Sequence, residues 1–151
     1  MNIKKVSVIC PVFNEEKFIE ACILSIIEQD YPQDSMEVLF VDGRSTDRTR
    51  EIIQKYMEQY DFIKLLDNPE RIVPYALNRG LEAAKGEVIM RLDGHCTYPT
   101  NYISELVRYL YQLDADNVGG VWNTQPAKDT PMCQAIALAS SHPFGVGGSM
   151  H

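Results

Sequence analysis

The sequence predicts an α/β protein in which helices flank a mostly parallel β-sheet, in three layers. Short apolar runs alternate with amphipathic segments of helical periodicity along the 151 residues. Each β-α-β unit of this kind closes as a right-handed crossover, which predicts the strand order 3-2-1-4. Three of the apolar runs end in polar or acidic residues, and ligands of such sheets bind beyond the carboxyl ends of the strands. We therefore expect a site at one edge of the sheet.

The length and composition fit one globular domain with a real core. Apolar residues make up 45% of the chain and charged residues 23%, both ordinary values. The 14 basic and 21 acidic residues give a net charge of −7, which argues against nucleic acid as a partner. An acidic chain that binds a phosphorylated ligand needs local positive charge, from a cation, a helix N-terminus or a few arginines.

Signals for disulfides, export and membrane insertion are missing from the sequence. The four cysteines form no C-x-x-C pair, and Cys10 and Cys22 lie in apolar segments, which indicates buried thiols in a reducing compartment. The first residues lack the pattern of a signal peptide, and no apolar run approaches the roughly 18 residues of a membrane span. We expect a cytoplasmic chain, with membrane association only through residues beyond this sequence.

The first strand and helix are predicted between residues 6 and 27. Residues 6–10 are a β-rich run ended by Pro11. Asn14 is the expected N-cap of a helix, because Glu15 and Glu16 would follow it at the positively charged end. The apolar face of this helix repeats at helical spacing and consists of Phe18, Ile19, Cys22, Ile23, Ile26 and Ile27.

The next two units follow the same pattern. Residues 38–41 predict a second buried strand that ends at Asp42. The helix after it can be capped by any of three polar residues, namely Ser45, Thr46 or Asp47. Residues 62–66 predict a third strand, and a helix then runs from about Pro74 to Ala84.

The last part of the chain gives weaker signals. The fourth strand, residues 88–90 with Leu92, is expected to be short and fully buried. A long amphipathic helix follows Pro99, and residues 118–122 predict a weak strand. A helix of small residues around 136–139 precedes a glycine-rich end.

The segment Asp93-Gly94-His95 carries the clearest chemical signal. A carboxylate and an imidazole two residues apart, on backbone freed by Gly94, can both turn toward one metal ion. The alternative is an ordinary turn after a strand, for which Asp-Gly is a common pair. The polar residues at the ends of the other strands favour the metal site over the ordinary turn. The first strand is followed by no G-x-G-x-x-G, and no Gly-Lys-Ser/Thr loop is present, so the usual dinucleotide and P-loop sites are excluded.

Four segments, in order and spacing, resemble family 2 glycosyltransferases of the GT-A fold. They are VSVICPVFNEE at 6–16, VDGRSTDRT at 41–49, NRG with AKG at 78–86, and RLDGH at 91–95. The late FGVGG at 144–148 extends the resemblance to bacterial exopolysaccharide enzymes of the succinoglycan type. The resemblance implies inverting transfer of a sugar from a nucleoside diphosphate sugar, a UDP-sugar, to a glycan or lipid-linked acceptor.

The resemblance also implies residues that hold the nucleoside. Pro11 and Phe13 match positions that line the base, and Glu15 matches a contact to the ribose or base. Asp42 matches the carboxylate that accepts the N–H of uracil, which suits an ionised, acceptor-only group. The alternatives are core packing for Phe13, helix-start electrostatics for Glu15 and a loop or cap role for Asp42.

The remaining implied roles concern the diphosphate. Asn78 and Arg79 match the stretch near it, and Arg71 is a second candidate cation; the alternative for each is an exposed surface residue. Asp93 and His95 match the family's Asp-x-Asp, which holds a divalent cation on the diphosphate. A carboxylate facing a diphosphate is repelled unless Mg²⁺ or Mn²⁺ lies between them, and imidazole suits Mn²⁺ better.

Two departures from the family pattern are visible. His95 replaces the second acid of Asp-x-Asp, and Gly43-Arg44 stands where the family usually has Asp-Gly. The first acid of that second motif is kept as Asp42. These changes affect the metal and the loop after the second strand.

The catalytic base is not assigned. In this family the base and an acceptor motif with Arg and Trp come later than any residue present, so we expect residues 1–151 to be the nucleotide-sugar-binding part of a longer enzyme, truncated at its C-terminal side. Asp129 is the one acid here that could swing toward the sugar. A non-catalytic nucleotide-sugar-binding domain is the alternative. A metal module using His95, Cys96, Cys133 and His142 is a second one, although its spacing fits no zinc pattern.

Overall fold

Strands and helices alternate along the chain, as the sequence predicts. The computed structural model describes residues 3–121, 123–126 and 128–142. Its helices are α1 (Ile19–Ile27), α2 (Thr49–Met57), α3 (Val73–Ala83), α4 (Tyr102–Gln112) and α5 (Pro131–Ser141). The chain divides into two compact units between Arg108 and Tyr109. The first unit contains the sheet and the second contains α5.

Four parallel strands form the sheet of the first unit. They are β1 (Val6–Val12), β2 (Met36–Asp42), β3 (Ile63–Asp67) and β4 (Val88–Arg91). Their order is β3-β2-β1-β4, which confirms the predicted order. The register sets Val12 beside Asp42 and Asp42 beside Asp67, so the first three strands end side by side.

Helix α3 covers one face of the sheet. Ile9, Leu39 and Val41 form a buried cluster there with Ala76 of α3. The approach is close because Gly80 faces β1: a β carbon at this position would clash with the side chain of Ile9. Both central strands are buried along almost their whole length, as expected for a parallel sheet with covered faces.

Helix α1 is buried through Ile19, Cys22, Ile23 and Ile26, which confirms most of its predicted apolar face. Its predicted start was wrong. The helix begins at Ile19, after a turn in which the carbonyl of Glu15 accepts hydrogen bonds from the N–H groups of Phe18 and Ile19. Asn14 has a φ of 56° and caps no helix. Its side-chain oxygen instead accepts a hydrogen bond from the N–H of Thr46, and Phe18 is half exposed.

Strand β4 is not fully buried, contrary to the sequence prediction. Val88 and Met90 are buried, whereas Ile89 and Arg91 are exposed. The cause is its position: among the described residues β4 pairs with β1 alone, and the register puts Ile89 and Arg91 on the same face as Ser7 and Ile9. That face is covered by α3 over β1 and β2.

The second unit contains the predicted small-residue helix, α5, whose first turn is capped by Thr130. The predicted strand at 118–122 is wrong for the described residues 118–121, which form no regular structure; Trp122 lies outside the described residues. Two consecutive glycines favour irregular backbone over an extended strand there. In residues 3–121, 123–126 and 128–142, none of the helices has the length and apolar character to cross a membrane.

Candidate functional site

A cleft opens at the carboxyl ends of the strands, and we call it the strand-end cleft. Its walls include six residues that the sequence singled out, namely Pro11, Phe13, Glu15, Arg71, Asp93 and His95. Its other polar lining residues are Asn68 and Arg91. The last residues of β1 and β4 and the segments after β1, β3 and β4 supply these side chains, because parallel strands bring their carboxyl ends to one edge.

Asp42 lies at the same edge but is completely buried. Its carboxylate accepts hydrogen bonds from the backbone N–H and the hydroxyl of Ser45. Arg50 of α2 lies 2.7 Å from Asp42 Oδ2 and 2.7 Å from Asp67 Oδ1, and so joins the ends of β2 and β3. In this arrangement the carboxylate is used inside the protein, and Asp42 is not among the residues that line the strand-end cleft.

Asn78 and Arg79 are also outside the lining of the strand-end cleft. Asn78 is exposed on α3. Arg79 forms an ion pair with Glu70 at 2.9 Å, which raises the pKa of its guanidinium through hydrogen bonding to that carboxylate. Their assignment to the diphosphate stays a prediction. Arg71, the other candidate cation, does line the cleft.

The backbone of Asp93 is held by Tyr98. The Asp93 N–H donates to the Tyr98 hydroxyl at 2.8 Å, and that hydroxyl donates back to the Asp93 carbonyl at 3.2 Å. Burial raises the pKa of the Tyr98 hydroxyl well above its usual value, so it stays protonated and available as a donor. The Cys22 thiol approaches the same carbonyl at 3.7 Å.

Gly94 is required for packing rather than for a special backbone angle. A β carbon at this position would lie 2.7 Å from Val12 Cγ1, and the φ angle of Gly94 is outside the left-handed region. The expectation that glycine frees the backbone here was therefore wrong. The glycine lets the segment from Asp93 to His95 lie directly on the end of β1.

Each of the two predicted metal ligands is paired with a neighbour. The Asp93 Oδ1 atom lies 3.0 Å from the Arg91 Nε atom, and the His95 Nδ1 atom lies 3.0 Å from Glu15 Oε1. Among the described residues there is no cluster of three or more His, Cys, Asp or Glu side chains able to hold a metal. This gives no support to the module of His95, Cys96, Cys133 and His142.

Asp93 and His95 nevertheless fit a divalent cation that is shared with a ligand. Mg²⁺ in such sites is held by one or two carboxylates together with substrate phosphates, not by an all-protein cage. One carboxylate and one imidazole are a donor set of that size, and the imidazole favours Mn²⁺.

Asn68 also lines the strand-end cleft, and no sequence motif singled it out. It is 2% exposed, and its Nδ2 donates to the Ile72 carbonyl at 3.0 Å. That contact identifies the nitrogen, because a carbonyl can only accept. Asn68 Oδ1 then has no hydrogen-bond partner among the described residues. A buried acceptor left unpaired costs about 1–3 kcal/mol, so a ligand N–H or a water is expected there.

The loops after β1, β2 and β3 each contain a residue other than glycine in the left-handed region. They are Asn14, Arg44 and Arg71, with φ of 56°, 59° and 63°. This conformation costs a residue with a β carbon about 1–2 kcal/mol. Arg44 stands where the resembled family has glycine, and the left-handed backbone explains that preference. Of the three, Arg71 lines the strand-end cleft, and strained backbone of this kind clusters at functional sites.

We expect Arg44→Gly to raise the free energy of unfolding by about 1 kcal/mol, because glycine adopts a positive φ without strain. Urea denaturation would measure the change. Arg48, with a φ of −81°, is the matched control, and Arg48→Gly should destabilise the chain. A loss of stability in Arg44→Gly would contradict the strain argument.

The all-parallel sheet, its order and the strand-end cleft define the GT-A class of α/β fold. The family model described as glycosyl transferase family 2 matches residues 7–144, and the chain belongs to that family. The recognition from sequence motifs is thereby confirmed.

Curated relatives are longer than this chain. The succinoglycan biosynthesis protein ExoA of Rhizobium meliloti is 34% identical over 146 residues, 95% of this chain and 43% of that protein. Glycosyltransferase AglE of Haloferax volcanii is 36% identical over 116 residues, 76% of this chain and 38% of that protein. The chain thus spans about two fifths of the length of these relatives.

Solved structures show the same fold. The mannosyltransferase PcManGT from Pyrobaculum calidifontis, in complex with GDP-Man and Mn²⁺, has a TM-score of 0.69 and 30% identity, covering 91% of this chain and 40% of that chain. S. aureus TarS 1-349, in complex with UDP, has a TM-score of 0.66 and 25% identity, covering 83% of this chain and 40% of that chain.

Proposed function

We propose that this chain forms the donor-binding part of an inverting family 2 glycosyltransferase. Its donor would be a nucleoside diphosphate sugar, and its acceptor a glycan or lipid-linked sugar in polysaccharide biosynthesis. The observation that carries the proposal is that Asp93, His95, Arg71 and Arg91 converge in the strand-end cleft. The names of the relatives, which include a succinoglycan biosynthesis protein, support it. A cytoplasmic location stays a prediction from the sequence.

The cleft has the charges that a diphosphate needs. Arg71 and Arg91 bring two guanidinium groups to a chain whose net charge is −7. Arg91 donates to Asp93 through Nε, which leaves the terminal nitrogens of its planar group for phosphate oxygens. Asp93 and His95 would hold Mn²⁺ or Mg²⁺ against the same diphosphate. Charge neutralisation and stabilisation of the leaving diphosphate are what such a cation supplies when bound.

The base would be held by Phe13 and Asn68, which line the same cleft. Phe13 is 45% exposed, although it is a large apolar residue, and can stack on a base or flank it. Asn68 Oδ1 is a buried acceptor with no partner in the described part of the chain, and the N3–H of uracil is a donor of the matching kind. We assign the base contact to Asn68 because Asp42 is closed off by Ser45 and Arg50.

The proposed reaction is a single displacement. An acceptor hydroxyl oxygen forms a bond to the anomeric carbon while the bond from that carbon to the diphosphate oxygen breaks, and UDP leaves. The acceptor proton goes to a base that we do not assign. Asp129, the acid considered from the sequence, accepts a hydrogen bond from Gln134 at 2.6 Å in the second unit.

The test is titration calorimetry of the chain with UDP and with GDP in the presence of Mn²⁺. We expect UDP to bind more tightly, and Asn68→Ala to weaken UDP binding about tenfold, the effect of losing one buried hydrogen bond. Gln54→Ala, which removes an exposed amide on α2, is the matched control and should bind UDP normally.

Failure to bind either UDP or GDP at millimolar concentration with Mn²⁺ would overturn the proposed function. Tighter binding of GDP would keep the glycosyltransferase assignment and reject the uridine donor. Unchanged UDP affinity in Asn68→Ala would reject the role of Asn68.

A further inference from the structure

Glu15 contacts the imidazole of His95 across 80 residues of sequence. The Glu15 Oε1 atom lies 3.0 Å from His95 Nδ1, and both residues line the strand-end cleft. The side chain of Glu15 is 20% exposed and that of His95 is 54% exposed. The pair thus lies at the wall of the cleft, with Glu15 mostly buried and His95 open to solvent.

The backbone of Glu15 is fixed from both sides. Its N–H donates to the Thr49 hydroxyl at 2.8 Å, which ties it to the start of α2. Its carbonyl accepts from the N–H groups of Phe18 and Ile19 at 2.9 Å, which ties it to the start of α1. Because the backbone of Glu15 is fixed in this way, its carboxylate can hold a neighbouring ring in one orientation.

The contact determines which nitrogen of His95 can bind a metal. An ionised carboxylate only accepts hydrogen bonds, so the proton of a neutral imidazole must lie on Nδ1. The lone pair is then on Nε2. In metal sites a histidine is commonly oriented in this way by a carboxylate, which also makes the ring a better ligand.

We propose that Glu15 is the positioning residue of His95, which holds the ring so that Nε2 faces the cation, in place of the nucleoside contact predicted from the sequence. This inference rests on the proposed function, because it requires a divalent cation at Asp93 and His95. A surface ion pair without such a role would contribute little to the stability of the fold.

The test measures Mn²⁺ binding to the chain with saturating UDP, by the electron paramagnetic resonance signal of free Mn²⁺. We expect Glu15→Ala to weaken Mn²⁺ binding about tenfold or more, the usual cost of losing an outer-shell partner. Glu15→Gln keeps a hydrogen-bond acceptor but loses the charge, so its Mn²⁺ affinity should lie between that of Glu15→Ala and that of the unaltered chain. Glu82→Ala, which removes an exposed carboxylate of α3, should leave Mn²⁺ binding unchanged.

A double substitution separates positioning from general support of the fold. In a chain carrying His95→Asp, the Glu15 carboxylate faces another carboxylate and repels it. Glu15→Ala should then leave Mn²⁺ affinity unchanged or raise it, opposite in sign to its effect beside His95. Spin-echo modulation should also show nitrogen coupling to Mn²⁺ in the unaltered chain, weakened in Glu15→Ala.

The outcomes distinguish this inference from the proposed function. If neither UDP nor GDP binds, the proposed function fails and this inference fails with it. If UDP and Mn²⁺ bind without nitrogen coupling, His95 is not a ligand and only this inference is overturned. If Glu15→Ala weakens Mn²⁺ binding equally in the unaltered chain and in the chain carrying His95→Asp, the role of Glu15 is structural. That result would also overturn this inference.

Discussion

Asp93→Ala should abolish the effect of Mn²⁺ on UDP binding. Asp93 is the carboxylate of the proposed cation site, and loss of a direct ligand should weaken Mn²⁺ binding by at least about 100-fold. Affinity for UDP without metal should be kept or should increase, because Arg91 loses its partner Asp93 and its guanidinium can turn to the diphosphate. Titration calorimetry with Mn²⁺ and with a chelator measures both effects.

The matched control is Asp61→Ala, which removes an exposed carboxylate from the loop before β3. It should bind UDP with the full Mn²⁺ dependence. Equal UDP affinity of the unaltered chain with Mn²⁺ and with chelator would reject the cation site. If UDP binding to Asp93→Ala still depends on Mn²⁺, the cation is bound by other residues.

Glu37→Gln should lower the stability of the chain at neutral pH by about 3 kcal/mol. Burial alone would raise the pKa of Glu37, but hydrogen bonds from Lys64, Ser7 and the N–H of Lys85 lower it to about 2, from an ordinary value of 4.5. These partners approach within 2.6–2.8 Å of a carboxylate that is almost fully buried. At 1.36 kcal/mol per pKa unit, the shift corresponds to about 3 kcal/mol.

The pH dependence follows from the direction of the shift. Between pH 4.5 and about 2 the unfolded chain binds a proton at Glu37 that the folded chain does not. The stabilisation is therefore complete above pH 4.5 and is lost as the pH falls toward 2. Urea denaturation at several pH values should show this loss in the unaltered chain and little of it in Glu37→Gln. The control Glu58→Gln changes an exposed residue and should keep the full pH dependence. If the stability of Glu37→Gln falls with pH as steeply as that of the unaltered chain, the pH dependence does not come from Glu37.

Local sequence patterns determined the parallel sheet, its order and the edge at which the site lies. Apolar runs and helical stripes depend on neighbours a few residues away, and the handedness of crossovers leaves few topologies to choose from. The position of Phe13, Asp93 and His95 in one cleft follows from that topology. The prediction that Ser45, Thr46 or Asp47 caps α2 was wrong, because the N-cap is Arg48; Asp47 nevertheless accepts a hydrogen bond from the N–H of Thr49.

The use of each polar side chain was decided only by the tertiary structure. The Asp42 carboxylate is hydrogen-bonded to Ser45 and paired with Arg50. Asn68 Oδ1 has no hydrogen-bond partner among the described residues, and Glu15 contacts His95 across 80 residues of sequence. Exposure of β4 depends on which strands α3 covers. Hydrogen bonds and burial of this kind join segments that are distant along the chain, so residue type and spacing cannot predict them. A strand-end carboxylate looks the same in sequence whether it faces a ligand or an arginine.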